Sequence, residues 1–422
     1  MDLFGRATGD DGRRTDPELG GSGQPGPGPV DGRPGAGSVG GEQPGAEVEG
    51  HRLLTDRRLR VWGIGLSVAF WVPALGAAAL HFWDFAAFYS AGALVGRSDL
   101  SQLAPVVVYQ VERGLPATPF VNLPAYALLY APLAHLPYVL AGYLAMAIMA
   151  ALLLLAVEYG RRPFGVPRHV AFLAALAWPP AAAAVVSGQS SSLALCLIVA
   201  VIAGLGRSSG RGSVAAGLAA GALAYKPQLA VPLLVLFLIR RDWRALAASV
   251  AGAGALYLAS VVATGGNWAW PMDWLATVQA YTGPDFAENG WQAVSLGGIA
   301  ALLGVPAAPY LAGGLLTVWL RPELRSRPAH EAVALACVLG LMASPHALVY
   351  DATLLLPGLA MLAIHRRVIA GAYFLAAIWP VGVLLGWQPL ALGVVAAALI
   401  LARVKVRPAL READAAPTGN SG

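Results

Sequence analysis

From residue 61 almost to its C-terminus, the chain alternates between long apolar runs and short polar gaps. An apolar run of about 20 residues crosses the ~30 Å hydrocarbon core of a bilayer as an α-helix. The pattern therefore predicts an all-α polytopic membrane protein, a bundle of about 12 transmembrane helices. The predicted spans are 61–80, 138–157, 169–186, 192–206, 213–225, 227–239, 245–264, 304–320, 330–343, 349–364, 368–386 and 388–402.

Two adjacent predicted spans, 213–225 and 227–239, are short for a bilayer. They meet at Tyr225-Lys226-Pro227, where a lysine and a proline interrupt the apolar run. A broken or re-entrant helix pair fits better than one continuous span, which would have basic residues at the ends on both sides of the membrane. Irregular backbone at that depth is tolerated only where protein or a wet cavity shields it. The break is therefore a candidate functional site.

Basic residues lie almost entirely in alternate gaps, as the positive-inside rule requires of cytoplasmic loops. The opposite side receives only Arg97, Arg113 and Lys226. This alternation predicts a multi-pass plasma (inner) membrane protein with both termini in the cytoplasm. The clusters on the side of the N-terminus are Arg161, Arg162 and Arg168; Arg207 and Arg211; Arg240, Arg241 and Arg244; Arg321, Arg325 and Arg327; Arg366 and Arg367; and Arg403, Lys405, Arg407 and Arg411.

Composition also indicates that lipid covers much of the chain. It is 57% hydrophobic and 12% charged, whereas soluble proteins carry about 25% charged residues. The net charge of +5 does not indicate a nucleic-acid partner, because the basic residues sit between apolar runs. Residues 1–56, rich in Gly and Pro, are predicted to be a disordered cytoplasmic tail. Residues 57–405 are the predicted transmembrane domain, and 406–422 a disordered cytoplasmic C-terminal tail.

Two long gaps fall on the side opposite the tails, so we expect the functional site at the outer face. The first runs from His81 to Pro137 and contains two aromatic-rich pieces, Phe85–Val95 and Tyr126–Leu136. Both are too short and too polar to span, and they predict interfacial helices. The second gap, from Thr264 to about Leu303, reads as a loop rich in Trp, a residue that favours the headgroup level.

Asp84, directly after the first predicted span, is the candidate catalytic residue. A carboxylate among aromatic residues at the membrane edge is partly desolvated, which makes it a better proton acceptor. The alternative is an N-cap for a helix that begins at Phe85, since Asp is a preferred cap. Tyr89 is a candidate substrate contact or a snorkelling interface residue. Asn122 is a candidate substrate contact or an ordinary turn residue before a proline.

Further polar residues are predicted on the outer side. Gln189, followed by three serines, either helps to cap the next helix or lines a sugar or phosphate pocket. Lys226 is either a contact for a lipid phosphate or a lysine that snorkels to water. His346 and Tyr350 lie in a short turn, where His346 would donate to a phosphate or sugar hydroxyl, or simply belong to the turn.

The sequence contains no nucleotide-binding fingerprint and no outer cluster of His, Cys and carboxylates at metal-ligand spacing. We therefore expect no cofactor and no metal. If the protein is an enzyme, a lipid-linked donor suits its layout better than a cytosolic nucleotide. The expected partners are membrane lipid and such a donor, with no nucleic acid.

The ordered set of candidate residues resembles one known family. In chain order the set is Asp84 with Phe85 and Tyr89; Asn122-Leu123-Pro124 with Tyr126; Gly188-Gln189-Ser190; Tyr225-Lys226-Pro227; and Ser344-Pro345-His346 with Tyr350. Over residues 60–400 this pattern resembles glycosyltransferase family 87, a branch of the membrane-embedded C-type (GT-C) glycosyltransferases.

The resemblance implies an enzyme dependent on a polyprenyl-phosphate sugar, most often mannose. Such an enzyme is a mannosyltransferase that moves the sugar to a glycolipid or glycan acceptor at the outer face. The resemblance also implies that Asp84 is the general base, that His346 lies near the donor, and that no metal is required. Lys226 would then be a candidate contact for the donor phosphate.

Two other hypotheses remain open from the sequence. A layout of 12 spans with both ends inside is also common among transporters and lipid flippases, although transporters often show two repeated halves. The chain shows no convincing internal repeat, and its polar residues cluster on one side. The third hypothesis is a membrane scaffold whose N-terminal tail recruits cytosolic partners.

Overall fold

The computed structural model of the chain describes residues 83–207, 209–297, 300, 303–305, 307–344 and 346–363, together with part of 61–76. These residues belong to a single unit, Val48–Gly422. The predicted tails, 1–56 and 406–422, and the predicted spans 368–386 and 388–402 lie outside the described residues. Within 61–76 the described positions are helical, in line with the first predicted span.

Regular structure in these ranges is helical, which confirms the all-α prediction for this part of the chain, and one isolated bridge joins Ala293 to Leu348. The α-helices are α1 (Trp83–Ala93), α2 (Leu103–Glu112), α3 (Pro124–Tyr130), α4 (Tyr138–Gly160), α5 (Arg168–Leu176), α6 (Pro179–Val186), α7 (Ser191–Leu205), α8 (Gly210–Ala222), α9 (Pro227–Arg240), α10 (Trp243–Ala263), α11 (Trp270–Asn289), α12 (Ala308–Trp319), α13 (Arg321–Ser326), α14 (Ala329–Ala343) and α15 (Leu356–Ala363). Leu133–His135, Arg162–Phe164, Leu223–Tyr225, Gly290–Gln292 and Val349–Leu355 form 3-10 helices.

Membrane-spanning length is clearest in two of the described helices. The helical stretch Tyr138–Phe164, which contains α4, and helix α10 are each long and apolar enough to cross a bilayer. The bent pair α5 and α6 would add a third span if it crosses as one unit. Four of the other predicted spans, 192–206, 227–239, 330–343 and 349–364, correspond to shorter apolar helical stretches. These helices are consistent with a membrane protein, whereas the count of about 12 spans stays a prediction.

The predicted span 169–186 is not one continuous helix. Helices α5 and α6 bend by 66° at a break that contains Ala177 and Trp178. Pro179 and Pro180 explain the break, because proline lacks an N–H and its ring pushes the preceding residue out of the α conformation. Trp178 accordingly has an extended backbone, with φ −89° and ψ 105°.

The break predicted at Lys226 is confirmed. Helix α8 ends at Ala222, a 3-10 turn covers Leu223–Tyr225, and α9 begins at Pro227. Lys226 has φ −122° and ψ 88°, which is not helical. The lysine is therefore at the joint between two half-spans, where its own backbone is not helical.

Helices α8 and α10 approach each other closely because glycines line their contact. A Cβ atom at Gly217 would overlap the carbonyl oxygen of Ala245, and one at Gly221 would overlap that of Ser249. Small residues of this kind let membrane helices pack backbone to backbone. This packing supports the joint at Lys226 from one side.

The two segments predicted to be interfacial are packed inside the protein. Helix α1 buries Phe85 and Phe88, and helix α3 buries Tyr126 and Tyr130. Phe88 stacks on Tyr130 with ring centroids 5.1 Å apart. The interfacial prediction did not anticipate this burial, because aromatic residues suit a packed core as well as a headgroup layer.

The gap from Thr264 to Leu303 is also different from the loop that was predicted. It contains helix α11, which is 20 residues long. Trp270 is buried, and Trp274 donates through Nε1 to the carbonyl oxygen of Val121 at 2.9 Å. Some of the tryptophans therefore pack α11 against the rest of the chain, while Trp268 remains 64% exposed.

Candidate functional site

A short segment, Gly188–Ser191, joins α6 to α7 and contacts most of the polar residues of the site. We call it the GQSS segment. Gly188 has φ +68°, a conformation that favours glycine. A Cβ atom there would also lie 3.4 Å from Cβ of Phe85, which is a tight contact. Glycine thus allows the chain to turn sharply against helix α1.

Asp84 is linked to the GQSS segment by a direct hydrogen bond. Nε2 of Gln189 donates to Oδ2 of Asp84 at 2.9 Å. Asp84 is partly buried and lies in the first turn of α1, where a carboxylate interacts favourably with the helix dipole. Because α1 begins at Trp83, Asp84 is inside the helix, and the N-cap alternative is wrong.

Gln189 and the serines do not cap helix α7 through their side chains. Ser190 is the N-cap residue of α7, but its side chain makes no capping hydrogen bond. Gln189 bonds to Asp84, and Ser191 bonds to Asp351. The capping role is therefore not seen for these side chains, and the pocket-lining role stays a prediction.

Lys226 is buried in an ion pair. Its Nζ lies 2.9 Å from Oδ1 of Asp351, and both side chains are less than a tenth exposed. Oγ of Ser191 donates to the same carboxylate oxygen at 2.9 Å. The ring of Tyr350 lies 5.1 Å from the Lys226 ammonium, within range of a cation–π interaction. The snorkelling alternative for Lys226 is therefore wrong.

Asp351 is a residue of this site that sequence reasoning missed. It lies in the 3-10 helix Val349–Leu355, where the predicted span 349–364 does not begin as an α-helix. The sequence does indicate this residue, since an ionisable residue within an apolar run is a functional candidate by default. The partner was not visible from the sequence, because Lys226 is 125 positions away.

Buried tyrosines hold the backbone of the GQSS segment. The hydroxyl of Tyr225 donates to the carbonyl oxygen of Ser190 at 2.9 Å, and that of Tyr130 to the carbonyl oxygen of Gly188 at 3.3 Å. Tyr126 stacks on Tyr225, with centroids 5.0 Å apart and planes 7° apart. Burial raises the pKa of Tyr126 and Tyr130 above the ordinary value for tyrosine, so both remain protonated hydrogen-bond donors.

Tyr89 has a structural contact in this fold. Its hydroxyl donates to the carbonyl oxygen of Leu136 at 2.9 Å, and its ring lies edge-on to Tyr138. The side chain is 9% exposed, so it does not snorkel to water. Burial raises the pKa of this phenol as well. Tyr89 thus ties α1 to the start of α4.

Asn122 and His346, two of the residues predicted from the sequence to contact the substrate, both lie in bends of the chain. Asn122 is partly buried in the bend before α3, which agrees with a turn role. His346 is partly buried, and its backbone N–H donates to Oγ of Ser344 at 3.2 Å. The hydrogen bonds that join the GQSS segment to Asp84 and Asp351 are made by Gln189 and Ser191.

The arrangement supplies two kinds of chemistry. The Asp84 carboxylate, oriented by Gln189, is able to accept a proton from a hydroxyl group. The Lys226 ammonium is able to stabilise an anion. Over the described ranges, no three His, Cys, Asp or Glu side chains come together as a metal site.

Residues 120–345, more than half of the chain, match the model of glycosyltransferase family 87. The match includes Asn122, Gln189 and Lys226, whereas Asp84, Tyr89, His346, Tyr350 and Asp351 lie outside it. No curated protein and no solved structure shows significant similarity to the chain.

Proposed function

We propose, for this chain that belongs to glycosyltransferase family 87, the transfer of a sugar from a polyprenyl-phosphate donor. The proposed sugar is mannose, and the acceptor is a glycolipid or glycan at the outer face of the plasma membrane. Family membership supports a glycosyltransferase. The transporter and scaffold alternatives gain no support from it.

One observation carries the proposal: the GQSS segment bonds at the same time to the Asp84 carboxylate and to the Asp351 carboxylate, which is paired with Lys226. Gln189 donates to Asp84, and Ser191 donates to Asp351, which pairs with Lys226. Sugar transfer from a lipid phosphate needs a base for the acceptor hydroxyl and a cation for the leaving phosphate. The segment of four residues brings these two requirements into one site.

The proposed reaction proceeds by direct displacement. Asp84 takes the proton of the acceptor hydroxyl as its oxygen bonds to the anomeric carbon. The bond from that carbon to the phosphate oxygen breaks, and polyprenyl phosphate leaves with the electron pair. Attack from the face opposite the phosphate inverts the anomeric configuration. The departing phosphate gains negative charge, which the Lys226 ammonium stabilises.

The remaining candidate residues have supporting roles in this proposal. Tyr350, against Lys226, and His346, in the preceding turn, are proposed to line the donor side of the site. Tyr89 and Asn122 are proposed to border the acceptor side. We expect the reaction to proceed without a metal, because a phosphate leaving group and a single carboxylate base meet its chemical needs.

The proposal is tested by Asp84→Asn in a transfer assay with the purified protein. The assay follows radiolabelled mannose from polyprenyl-phosphate mannose into an envelope glycolipid fraction. A general base contributes about 10²- to 10⁴-fold to a rate, so we expect kcat to fall by about 100-fold or more. Addition of EDTA should leave the wild-type rate unchanged.

Asp99→Asn is the matched control, because it makes the same change in the same part of the chain. Asp99 is paired with Arg97 at 2.8 Å, and among the described residues no hydrogen bond joins it to the GQSS segment. This control should retain wild-type kcat. Full activity in Asp84→Asn would remove Asp84 from its proposed role, and no transfer by the wild-type protein would reject the donor.

A further inference from the structure

Asp351 has no reacting atom to contact in the proposed displacement, yet it is buried in the centre of the site. We propose that Asp351 is a positioning residue for phosphate recognition. Held by Ser191, it fixes the ammonium of Lys226 so that the other N–H groups of Lys226 point to the donor phosphate. This inference rests on the proposed function, because it takes a lipid-linked phosphate as the ligand of Lys226.

Hydrogen-bond capacity at Lys226 supports the inference. An ammonium group has three N–H donors. Within the part of the chain that the structure describes, Lys226 uses one of them, in the bond to Asp351. Two donors are left, so a phosphate group is able to bind without breaking the ion pair. Asp351 can therefore remain in place during the reaction.

Lys226 and Asp351 both lie outside regular α-helix. Lys226 is at the joint between α8 and α9, and Asp351 is in the 3-10 helix before α15. The backbone at Lys226 does not by itself hold the long lysine side chain in one rotamer. Ser191, at the start of α7, donates to the Asp351 carboxylate and so supplies the fixed point.

The charge of the buried Lys226 ammonium also supports a positioning role for Asp351. A buried ammonium without a carboxylate is strongly disfavoured, and it releases its proton or turns towards water. Either change would remove the cation from the phosphate site. Ser192 and Thr353, on the same two segments, also have buried hydroxyls without a hydrogen-bond partner among the described residues. These two hydroxyl groups could therefore form hydrogen bonds with a ligand.

A double-mutant cycle on Lys226 and Asp351 tests the inference. The variants are Lys226→Met, Asp351→Leu and the pair of changes together. The readouts are the affinity for radiolabelled polyprenyl phosphate, which carries no sugar, and the donor KM and kcat. The double variant leaves no charge at positions 226 and 351. Apolar replacement of a buried ion pair is often tolerated. If Asp351→Leu alone fails to fold, the nearly isosteric Asp351→Asn takes its place.

We expect each variant to lose polyprenyl-phosphate affinity by about tenfold or more, the loss of a charged hydrogen bond. Donor KM should rise by a similar factor, and kcat should fall as well, because Lys226 also stabilises the charge that develops on the leaving phosphate. Because Asp351 acts through Lys226, Asp351→Leu should cause no further loss in the Lys226→Met background. Wild-type affinity in Asp351→Leu, or additive losses in the double variant, would overturn the inference.

Arg327→Met with Glu331→Leu is the matched control. This second buried ion pair has a 3.0 Å contact and side chains that are 9% and 8% exposed. Its replacement should leave polyprenyl-phosphate affinity unchanged. A wild-type protein that binds polyprenyl phosphate but transfers no mannose would reject the proposed reaction and leave this inference standing. No binding by the wild-type protein would reject both.

Discussion

At the scale of single residues, the local sequence predicted candidate groups, and the fold supplied their hydrogen-bond and ion-pair partners. Asp84 stood out because a carboxylate follows an apolar run directly. Its partner Gln189 is 105 positions away, so the hydrogen bond between them depends on how α1 and the GQSS segment pack. Asp351 was missed although it lies within an apolar run, and its pairing with Lys226, 125 positions away, depends on the fold.

Gln189→Leu tests whether the orientation of Asp84 matters. Loss of the amide removes the bond to Oδ2 and with it one of the contacts that orient the carboxylate. A misplaced catalytic group costs up to about 100-fold in rate, so we expect kcat to fall by about 10- to 100-fold while donor KM changes little. The measurement is steady-state transfer in detergent or nanodiscs.

Gln110→Leu is the control for that variant. Gln110 is also buried, and its amide bonds to the backbone of Thr118 at 2.8 Å and 2.9 Å. The change should lower thermal stability but not the kcat of the folded protein. Equal losses of kcat in both variants would indicate general damage and would contradict an orienting role for Gln189.

At the scale of helices, the chain breaks where proline follows a residue in a non-helical conformation. This is true of Trp178-Pro179 and of Lys226-Pro227. The second break was predicted, because charge alternation required it as well. The first was missed, because hydropathy alone makes 169–186 look continuous. The sequence thus predicted most of the helices, but it predicted only one of these two breaks.

Gly221→Leu tests the close packing of α8 on α10. A side chain at position 221 would meet the backbone of Ser249 and Gly252. Overpacking typically costs about 1–3 kcal/mol, so we expect a lower unfolding temperature in detergent. Gly254→Leu, on the exposed side of α10 with nothing within 4 Å of its Cβ position, should unfold like the wild type. Equal stability of the two variants would contradict the packing argument.

At the scale of the whole molecule, the proposed site requires Asp84 and Lys226 to face the outer side. That expectation comes from the asymmetry of arginine along the chain. The close linkage of Asp84, Gln189, Lys226 and Asp351 agrees with a common depth for these residues. Sidedness itself stays a prediction that labelling can test.

Two serine-to-cysteine changes test the sidedness in a background of Cys196→Ser and Cys337→Ala. Ser98 and Ser326 are both exposed, and they are predicted to lie on opposite sides of the membrane. A membrane-impermeant maleimide should label Ser98→Cys in intact cells. It should label Ser326→Cys only after the cells are permeabilised. The reverse pattern would place Asp84 in the cytoplasm and rule out the outer-face reaction.

The sequence by itself determined the helical, strongly apolar character of the chain, the break at Lys226 and the candidacy of Asp84. These follow from local causes, since lipid demands internally bonded backbone, and proline or charge interrupts an apolar run wherever it occurs. Only the tertiary structure decided that Asp351 pairs with Lys226, that Gln189 bonds to Asp84, and that α1 and α3 are buried. These features depend on packing between segments far apart in the chain, which no local pattern encodes.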